Sequence, residues 1–374
     1  MKKKNLIVFG TRPEAIKMAP LVKAFLKEDS FDTKVCVTAQ HREMLDQVLD
    51  FFEITPDYDL DVMKPNQNLY SLTATIIEGM KPVLEEVQPD YVYVHGDTTT
   101  SMAVGIAGFY AGAKVCHVEA GLRTYDRQYP FPEEFNRQLT GRIADYHFAP
   151  TKGSKENLLQ ERTDEKSILV TGNTVIDALL FGIDKVTSTG YSDAEIEMLT
   201  SKVDLSKKII LVTGHRRENH GEGLMNICTA LKNVAEAYPN TQIIYPVHLN
   251  PNVKGPVHEL LAGVANILLV PPLAYPAFIW LMEKSYLIIT DSGGIQEEAP
   301  SLGKPVLVTR TTTERPEAVA EGTVLLVGTD IEEITSKTKQ LLDDETYYAS
   351  MSELHNPYGD GKSVARIVDF IKVL

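Results

Sequence analysis

The chain has 374 residues and a formal net charge of −14 at pH 7, and 43% of its residues are hydrophobic. This length allows two domains with full cores, and the acidic balance argues against nonspecific binding to nucleic acid, although a few convergent cations can still bind an anion. The apolar run at residues 6–9 is too short for a signal peptide and no later run could span a bilayer, so we expect a cytoplasmic protein with no nucleic-acid or membrane partner.

The cysteines occur singly inside apolar segments and no two have CxxC spacing; they are Cys36, Cys116 and Cys228. Isolated cysteines in an intracellular protein are usually reduced. We therefore expect buried thiols, and neither a disulfide nor a zinc site.

Short β-branched runs alternate with amphipathic segments along the chain. The runs lie at 6–9, 34–38, 91–95, 114–118, 146–149 and 168–171 in the first half, and at 209–213, 242–245, 267–270, 287–290, 305–308 and 324–327 in the second. Such alternation is typical of βαβ units around a parallel sheet. A polar, turn-rich stretch at 187–193 separates the halves. We therefore predict an α/β protein with two doubly wound, Rossmann-like domains, 1–187 and 193–360, facing across a cleft.

The first strand of each half ends in the same pattern of Gly, any residue, Arg, any residue and Glu, at residues 10–14 and 214–218. Ligands of open α/β sheets bind beyond the carboxyl ends of the strands, so both loops are predicted to face the crevice with Arg12 and Arg216. The alternative is a chance recurrence. Neither loop is a Walker A or GxGxxG motif, which disfavours a nucleoside triphosphatase or a nicotinamide enzyme.

The segment DSGGIQEEA at 291–299 follows a predicted strand and opens onto a helical pattern. Ser292, Gly293 and Gly294 can leave backbone amides free at a helix N-terminus, where a phosphate binds favourably. The Glu298 carboxylate can accept two hydrogen bonds from a sugar diol. The alternative is an ordinary turn with a serine cap.

Two carboxylates of the first half, Asp97 and Glu119, each follow a predicted strand and are expected to face the crevice. Structural alternatives stay open for both, because Asp97 could cap the helix that begins at Thr98 and Glu119 could pair with Arg123. A metal bound by these acids and neighbouring histidines is disfavoured, since nothing supplies the open coordination position of a catalytic metal.

A third acidic segment places Glu133 and Glu134 behind prolines at a predicted helix start. Acids stabilise a first helical turn, so a structural role explains one of them easily. A third carboxylate in the crevice would suit a reaction that removes and returns a carbon-bound proton, because such chemistry needs acid and base groups with separated pKa values.

The second half supplies histidines and cations near strand ends. Arg216 can bind a diphosphate in bidentate fashion, and His215 beside it can donate a proton to a leaving group. His248 also follows a strand. The apolar segment around Phe278 could hold a flat base, or simply start a buried helix. A diphosphate site could combine the amides at 292–294 with four cations: Arg12, Lys17, Arg216 and Arg315.

Eight segments, in order, resemble the motifs of the bacterial non-hydrolysing UDP-N-acetylglucosamine 2-epimerases. They are GTRPE at 10–14, HGDT at 95–98, HVEAGLR at 117–123, PEEFNR at 132–137, GHRREN at 214–219, DSGGIQEE at 291–298, TERPE at 313–317 and NPYGDG at 356–361. The resemblance covers nearly the whole chain. It implies a GT-B-type fold whose C-terminal helix, residues 362–374, packs back on the first domain, and it implies a homodimer.

The resemblance further implies reversible conversion of UDP-N-acetylglucosamine to UDP-N-acetylmannosamine, for cell-surface polysaccharide synthesis. UDP is eliminated to give a 2-acetamidoglucal and is then added back with a proton on the other face of C2; no cofactor or metal is required. By matching position, the catalytic residues would be Asp97, Glu119, Glu133 and His215. The residues that hold UDP would be Arg12, Lys17, Phe278, Ser292, Gly293, Gly294, Glu298 and Arg315.

Many bacterial members of that family also bind a second UDP-N-acetylglucosamine molecule as an activator. The matching positions here are Gln40, His41, Gln67, Arg216 and His248. This chain departs from the pattern, because Glu43 and Asn66 stand where Gln and Arg are expected. An acid in place of an amide weakens a diphosphate contact, so the departure leaves activation open.

Three other functions remain to be weighed. A GT-B glycosyltransferase is disfavoured by three crevice acids and by the lack of an evident acceptor groove, although fold alone does not fix function. A hydrolysing epimerase would need water admitted to C1 of the sugar, and no sequence feature excludes this. A non-catalytic nucleotide-sugar sensor would not be expected to retain Asp97, Glu119, Glu133 and His215 together.

Overall fold

The computed structural model describes residues 2–39, 42–63 and 67–374, so Gln40, His41 and Asn66 lie outside the described residues. The chain divides into two compact units, Met1–Ala178 with Tyr358–Leu374, and Leu179–Pro357. The chain passes from the first unit to the second between Ala178 and Leu179. This boundary lies inside the helix Thr174–Val186, before the polar stretch at 187–193. Each unit is built on its own parallel sheet.

The first unit contains a seven-stranded sheet. Its strands are β1 (Lys3–Phe9), β2 (Phe31–Val37), β3 (Tyr58–Asp59), β4 (Tyr91–His95), β5 (Lys114–Val118), β6 (Tyr146–Ala149) and β7 (Ile168–Val170). Their spatial order is β3-β2-β1-β4-β5-β6-β7, so the direction of winding changes between β1 and β4. Ligands of such sheets bind outside the carboxyl ends of the strands at this switch point.

The second unit repeats this design with six strands. They are β8 (Lys208–Thr213), β9 (Thr241–Pro246), β10 (Ile267–Val270), β11 (Leu287–Thr290), β12 (Val306–Val308) and β13 (Val324–Leu326), in the order β10-β9-β8-β11-β12-β13. The switch point lies between β8 and β11. All predicted strands are present because strands buried on both faces are continuous apolar runs in sequence. The two-residue edge strand β3 was not predicted, since it is too short to show a pattern.

Helices flank the strands in sequence throughout the described residues. They are α1 (Arg12–Lys27), α2 (Arg42–Phe52), α3 (Leu69–Val87), α4 (Thr99–Tyr110), α5 (Glu133–Ile143), α6 (Lys152–Gln160), α7 (Thr174–Val186), α8 (Ala194–Lys202), α9 (Glu222–Ala237), α10 (Pro251–Leu261), α11 (Tyr275–Lys284), α12 (Gly293–Glu298), α13 (Pro316–Glu321), α14 (Ile331–Asp343), α15 (Glu345–Ser352) and α16 (Ser363–Val373). None of these helices has both the length and the apolar character needed to cross a membrane.

The C-terminal helix α16 belongs to the first unit. Lys372 near its end forms an ion pair with Glu28 behind α1, and Lys3 Nζ donates to the Ile371 carbonyl at 3.1 Å. At its start, Asp177 accepts the backbone N–H groups of Ser363 and Val364, at 3.2 and 3.0 Å. The Asp177 carboxylate thus satisfies two of the N–H groups that every helix N-terminus leaves without a helical partner.

The two cores form where apolar strand residues meet the helices. In the first unit Leu6 and Val8 of β1 pack with Val92 and Val94 of β4, and with residues of α3 and α4. The second core is assembled in the same way around β8 and β9. The three cysteines are buried and unpaired, as predicted, and burial raises the pKa of the Cys36 thiol to about 12.

Two buried histidines lie side by side on β5 and β6, where His117 pairs in register with His147. His117 Nε2 donates to the Gly96 carbonyl at 2.7 Å, which fixes the neutral tautomer with its proton on Nε2. Burial lowers the pKa of His117 to about 3 and that of His147 to about 4. Both rings are therefore neutral in the folded protein at neutral pH.

The lowered pKa values of His117 and His147 predict that the folded protein loses stability on mild acidification. Their folded pKa values lie below the ordinary value of about 6.5, so below that pH the unfolded chain binds more protons than the folded chain. Each ring then lowers the free energy of unfolding by up to about 1.4 kcal/mol per pH unit as the pH falls toward its folded pKa. Urea denaturation at pH 7 and pH 5 measures this change.

The test compares the wild type with a His117→Gln/His147→Gln double variant, whose urea midpoint should depend less on pH. His258→Gln serves as the matched control because His258 is exposed on α10, and it should keep the wild-type dependence. If the urea midpoint depended on pH equally in the double variant and in the wild type, His117 and His147 would not be the source of the acid sensitivity.

Candidate active site

Glu14 organises the loop that follows β1. This buried carboxylate accepts the backbone N–H groups of Gly10 and Thr11, at 3.1 and 2.8 Å, and completes a capping box at the start of α1. Its other oxygen accepts the hydroxyls of Thr98 and Ser101, at 2.7 and 3.3 Å. Glu14 therefore ties the β1 loop to the start of α4, on the two strands that flank the switch point.

Asp97 lies in the turn between β4 and α4. The residue that caps α4 is Thr98, whose side chain accepts the Ser101 N–H at 3.1 Å, so the capping alternative for Asp97 is wrong. The Asp97 carboxylate instead pairs with Arg137 of α5, and the amide of Asn136 donates to its carbonyl at 2.9 Å. Asp97 is a partly exposed acid held from two sides.

Glu119 follows β5 with a left-handed backbone, φ 60°, a conformation that non-glycine residues adopt mainly under constraint. Its Oε2 atom pairs with Lys17 of α1, accepts Asn173 Nδ2 at 2.9 Å and lies 3.5 Å from His95 Nε2. The proposed pairing with Arg123 is wrong, because that guanidinium binds Glu161 at 2.7 and 2.9 Å.

The charge on Glu119 is stabilised by its neighbours. Burial opposes ionisation, but the charge of Lys17 and the ring of His95 outweigh it and hold the pKa of the Glu119 carboxyl well below its usual range. The Glu119 side chain, 13% exposed, is therefore held in the deprotonated form that a base requires.

Glu133 and Glu134 begin α5 and have different environments. Glu134 is fully buried and accepts the backbone N–H groups of Thr124 and Tyr125, both at 3.0 Å, so it fixes the preceding loop. Glu133 is half-buried, and its carboxylate has no hydrogen-bond or ion-pair partner among the described residues. The structural role expected for one acid therefore falls to Glu134.

In the second unit Asp291 positions the loop that carries His215. The Asp291 Oδ2 atom accepts the backbone N–H groups of His215 and Arg216, both at 2.8 Å, and Oδ1 lies 3.6 Å from His215 Nδ1. Asp291 is 1% exposed whereas the His215 side chain is 48% exposed. Asp291 therefore fixes the backbone of the loop that carries His215, and its second oxygen lies near the ring without a hydrogen bond to it.

The His215 ring also stacks on His248, with centroids 5.3 Å apart and an interplanar angle of 17°. Burial lowers the pKa of His215, the Asp291 carboxylate opposes this shift, and His248 adds to it. The basicity of His215 therefore depends on two neighbours of opposite influence. His248 itself accepts the Asn250 N–H at 3.1 Å through Nδ1.

Most of the residues predicted to hold UDP lie in helices that follow strands, in both units. Arg12 is exposed at the first position of α1, and Phe278 is half-buried in the first turn of α11. Gly293 lies against Arg315, since a Cβ there would be 3.7 Å from the guanidinium carbon. Arg315 pairs with the buried Glu297, which places its charge beside the start of α12.

The backbone amides of residues 292–294 were predicted to be free for a phosphate, and one of them is not. Ser292 N–H donates to Thr290 Oγ1 at 2.9 Å, so this amide already has a partner within the loop. Ser292 is the N-cap of α12 but its side chain makes no capping hydrogen bond, which also excludes the ordinary serine-cap alternative. Glu298 is half-buried at the end of that helix.

The predicted activator set is only partly described. Gln40 and His41 lie outside the described residues, as does Asn66. Gln67 is half-buried, and its Oε1 atom is buried without a hydrogen-bond partner in the described residues. Arg216 follows His215 in the Asp291-bound loop, and Glu43 is exposed in the first turn of α2.

Three residues of the site, Asp291, Arg137 and Asn173, have no role predicted from sequence. Asp291 follows β11 as Asp97 follows β4, so the strand-end pattern could have identified it. Arg137 stands four residues into α5 on the same helix as Glu133, but its pairing with Asp97 joins distant segments. Asn173 belongs to no motif. No group of three His, Cys, Asp or Glu side chains suited to a metal ion occurs within 2–39, 42–63 and 67–374.

The chain is similar to known proteins over almost its whole length. A family model described as UDP-N-acetylglucosamine 2-epimerase matches residues 23–372. The protein named UDP-N-acetylglucosamine 2-epimerase from Yersinia pestis is 59% identical over 369 residues, which is 99% of this chain and 98% of the relative. The protein of the same name from Escherichia coli K12 is 58% identical with the same coverage.

Solved structures are similarly close. A UDP-GlcNAc 2-epimerase from Neisseria meningitidis, bound to UDP-GlcNAc, has a TM-score of 0.88 and 51% identity, covering 99% of this chain and 100% of that one. A 2-epimerase structure from Listeria monocytogenes has a TM-score of 0.92 and 47% identity, covering 100% and 96%. The predicted fold class, α/β with two Rossmann-like parallel sheets of the GT-B type, is confirmed.

The contact between Asp291 and His215 predicts a titration shift. Since the Asp291 carboxylate raises the pKa of His215 against burial, Asp291→Asn should lower the pKa of that imidazole. The asparagine retains one oxygen to accept the backbone N–H groups. Proton–carbon NMR of the histidine rings, assigned with His215→Asn, measures the change.

Glu218→Gln is the matched control, because Glu218 lies in the same loop but pairs with Arg310 at 2.6 Å. It should leave the His215 titration unchanged. A His215 pKa that stays constant or rises in Asp291→Asn would show that the carboxylate does not act on this ring.

Proposed function

We propose a reaction for this chain from one premise: it belongs to the UDP-N-acetylglucosamine 2-epimerase family. It is an isomerase, and the family activity is epimerisation of UDP-N-acetylglucosamine. The finer proposal is that C2 is inverted reversibly, to UDP-N-acetylmannosamine, by elimination of UDP to a 2-acetamidoglucal and re-addition of UDP. The substrate proposal is supported by the Neisseria meningitidis relative, which is described as bound to UDP-GlcNAc.

The observation that carries the mechanism is the ion pair between Glu119 and Lys17. The C2 hydrogen of the intact sugar is not acidic, so departure of UDP has to build positive charge at C1 as the proton leaves. A carboxylate can both stabilise an oxocarbenium-like centre and accept the proton. Glu119, Asp97 and Glu133 form the acid/base set of this proposal, because each presents a carboxylate from a loop or helix start of the first unit.

His215 assists the departure and return of UDP. Its ring is 48% exposed on a loop whose backbone is held by Asp291, so it can donate a proton or a hydrogen bond to the phosphate oxygen that leaves C1. In the return step the same ring accepts that proton. Burial lowers the pKa of His215 and the Asp291 carboxylate opposes this shift, so Asp291 favours the protonated ring that donates to the leaving group.

UDP is held by groups of several loops in this proposal. They are Arg12, Lys17, Phe278, Ser292, Gly293, Gly294, Glu298 and Arg315. The Gly293 and Gly294 amides with Arg315 bind phosphate oxygens, and Glu298 binds the ribose diol. The Lys17 ammonium has two roles in this proposal, because it binds UDP and also pairs with Glu119. Retention of UDP after C1–O cleavage allows the same molecule to return.

A second UDP-N-acetylglucosamine molecule is proposed as an activator, bound through Gln40, His41, Gln67, Arg216 and His248. The stacking of His248 on His215 supports this proposal, because a ligand that orders His248 also restricts the His215 ring. Turnover of UDP-N-acetylmannosamine without a lag, in the absence of added UDP-N-acetylglucosamine, would remove the activator from the account.

The oligomeric state, the biological role and the localisation of the protein are also proposed. A homodimer is proposed, and a sedimentation coefficient of a monomer at micromolar concentration would refute it. Supply of UDP-N-acetylmannosamine to cell-surface polysaccharide synthesis is proposed, and unchanged surface polysaccharide after deletion of the gene would refute it. Cytoplasmic localisation is the third, and recovery of the protein outside the cytoplasmic fraction would refute it.

The proposed reaction predicts solvent exchange at C2. Incubation with UDP-N-acetylglucosamine in deuterated water should yield UDP-N-acetylmannosamine deuterated at C2, since the proton removed from C2 is replaced from an enzyme group in contact with water. Proton NMR distinguishes the alternatives. Release of free N-acetylmannosamine would indicate hydrolysis, and no change without an acceptor would indicate glycosyl transfer.

Matched variants assign the carboxylates in the same experiment. Asp97→Asn, Glu119→Gln and Glu133→Gln should each lower turnover by about a hundredfold or more, as removal of an acid or base group does, while UDP binding measured by calorimetry stays near the wild-type value. Wild-type turnover in any one variant would remove that residue from the acid/base set.

A further inference from the structure

The two oxygens of the Glu119 carboxylate have unequal surroundings. Lys17, Asn173 and His95 all approach Oε2, whereas Oε1 accepts no hydrogen bond from the described residues. Oε1 lies beside the loop after β4, since a Cβ at Gly96 would be 3.7 Å from it. The charged and polar groups that face this carboxylate therefore hold one oxygen and leave the other open.

Asn173 holds Oε2 with a side chain whose orientation is fixed. Its backbone N–H donates to the Tyr358 carbonyl at 2.7 Å, and its Oδ1 atom accepts the Val175 N–H at 3.0 Å. Because Oδ1 has to face a donor, Nδ2 is the atom directed at Glu119. Asn173 is 2% exposed, so its amide does not exchange these partners for water.

The loop that carries Asn173 rests against the C-terminal segment. Gly172 has a φ of +87°, and a Cβ there would lie 2.7 Å from Ser363 Oγ and 3.2 Å from the Gly359 Cα. Arg366 of α16 donates to the Thr171 carbonyl at 2.9 Å. The position of Asn173 therefore depends on how residues 358–366 pack against residues 171–173.

We propose that Asn173 is a positioning residue for Glu119: it holds Oε2 so that Oε1 faces the C2 hydrogen of the sugar, and the C-terminal segment sets its place. The inference rests on the proposed function. A base has to be aimed within a fraction of an ångström of the proton it removes, and Lys17 alone, on a flexible stem, does not fix the carboxylate plane. The planar amide of Asn173 supplies that restraint.

The test uses Asn173→Asp in the full-length chain. The aspartate keeps an oxygen for the Val175 N–H and leaves the backbone contact to Tyr358 intact, but it replaces the donor to Glu119 with a second carboxylate. The turnover number should fall about tenfold to a hundredfold, the scale of one lost hydrogen bond to a charged group, with KM within about twofold. The acidic limb of the kcat–pH profile should move to higher pH, since a nearby like charge raises the pKa of Glu119.

Asn157→Asp is the matched control. Asn157 also lies in the first unit and donates through Nδ2, but to the Gly121 carbonyl at 3.0 Å. It should keep the wild-type pH profile. If Asn173→Asp does not fold, Asn173→Ser replaces it, because serine retains an acceptor for Val175 and loses the donor to Glu119; it should lower kcat at constant KM.

A wild-type pH profile in Asn173→Asp, or an equal shift in Asn157→Asp, overturns the proposal. Absence of epimerisation by the wild type is a different failure, that of the proposed function. In that case carbon NMR titration of the Glu119 carboxyl decides: a higher pKa in Asn173→Asp supports the positioning role, and an unchanged pKa overturns it.

Discussion

The ion pair between Lys17 and Glu119 is the interaction on which the candidate active site depends. A buried carboxylate is costly unless it is paired and hydrogen-bonded, and Glu119 is paired with an ammonium group and bound by an amide. Its left-handed backbone turns the side chain back toward α1. The fold stabilises the ionised form, and this is the form that a proton-abstracting residue needs.

The strand order explains why these groups meet within the first unit. Because β1 and β4 are neighbours while the chain winds away from them in opposite directions, the loops after both strands open at the switch point. Glu14 then joins these loops by hydrogen bonds to Thr11 and Thr98. The second unit repeats the principle with different residues, since Asp291 after β11 binds the His215 loop after β8.

Much of this arrangement could be predicted from sequence because it follows from periodicity. Residues that follow apolar strands in a parallel sheet come to one edge, which placed Asp97, Glu119 and His215 correctly at loop positions. The recurring Gly-x-Arg-x-Glu pattern was less informative: Glu14 is the buried N3 residue of the capping box that starts α1, whereas Glu218 pairs with Arg310. The same sequence pattern therefore gives Glu14 and Glu218 different structural roles.

Side-chain pairings were not predictable, because they join segments that are distant in sequence. Local spacing left Arg123 open as an alternative partner of Glu119, but Lys17 of α1 takes that place and Arg123 binds Glu161. Asp97 was a reasonable cap for α4 by residue type, yet the next residue, Thr98, has the extended backbone of an N-cap. Such choices depend on tertiary packing, which no local pattern encodes.

The central claim, that Lys17 keeps Glu119 ionised, is tested most directly by carbon NMR titration of the Glu119 carboxyl in the ligand-free protein, assigned with Glu119→Gln. The wild-type carboxyl should titrate well below the ordinary glutamate value of about 4.3, and Lys17→Met should raise its pKa. Lys23→Met is the control, because Lys23 on the same helix donates to the Phe52 carbonyl at 2.7 Å. A wild-type Glu119 that titrates at or above the ordinary value, or a titration that Lys17→Met does not change, would contradict the account.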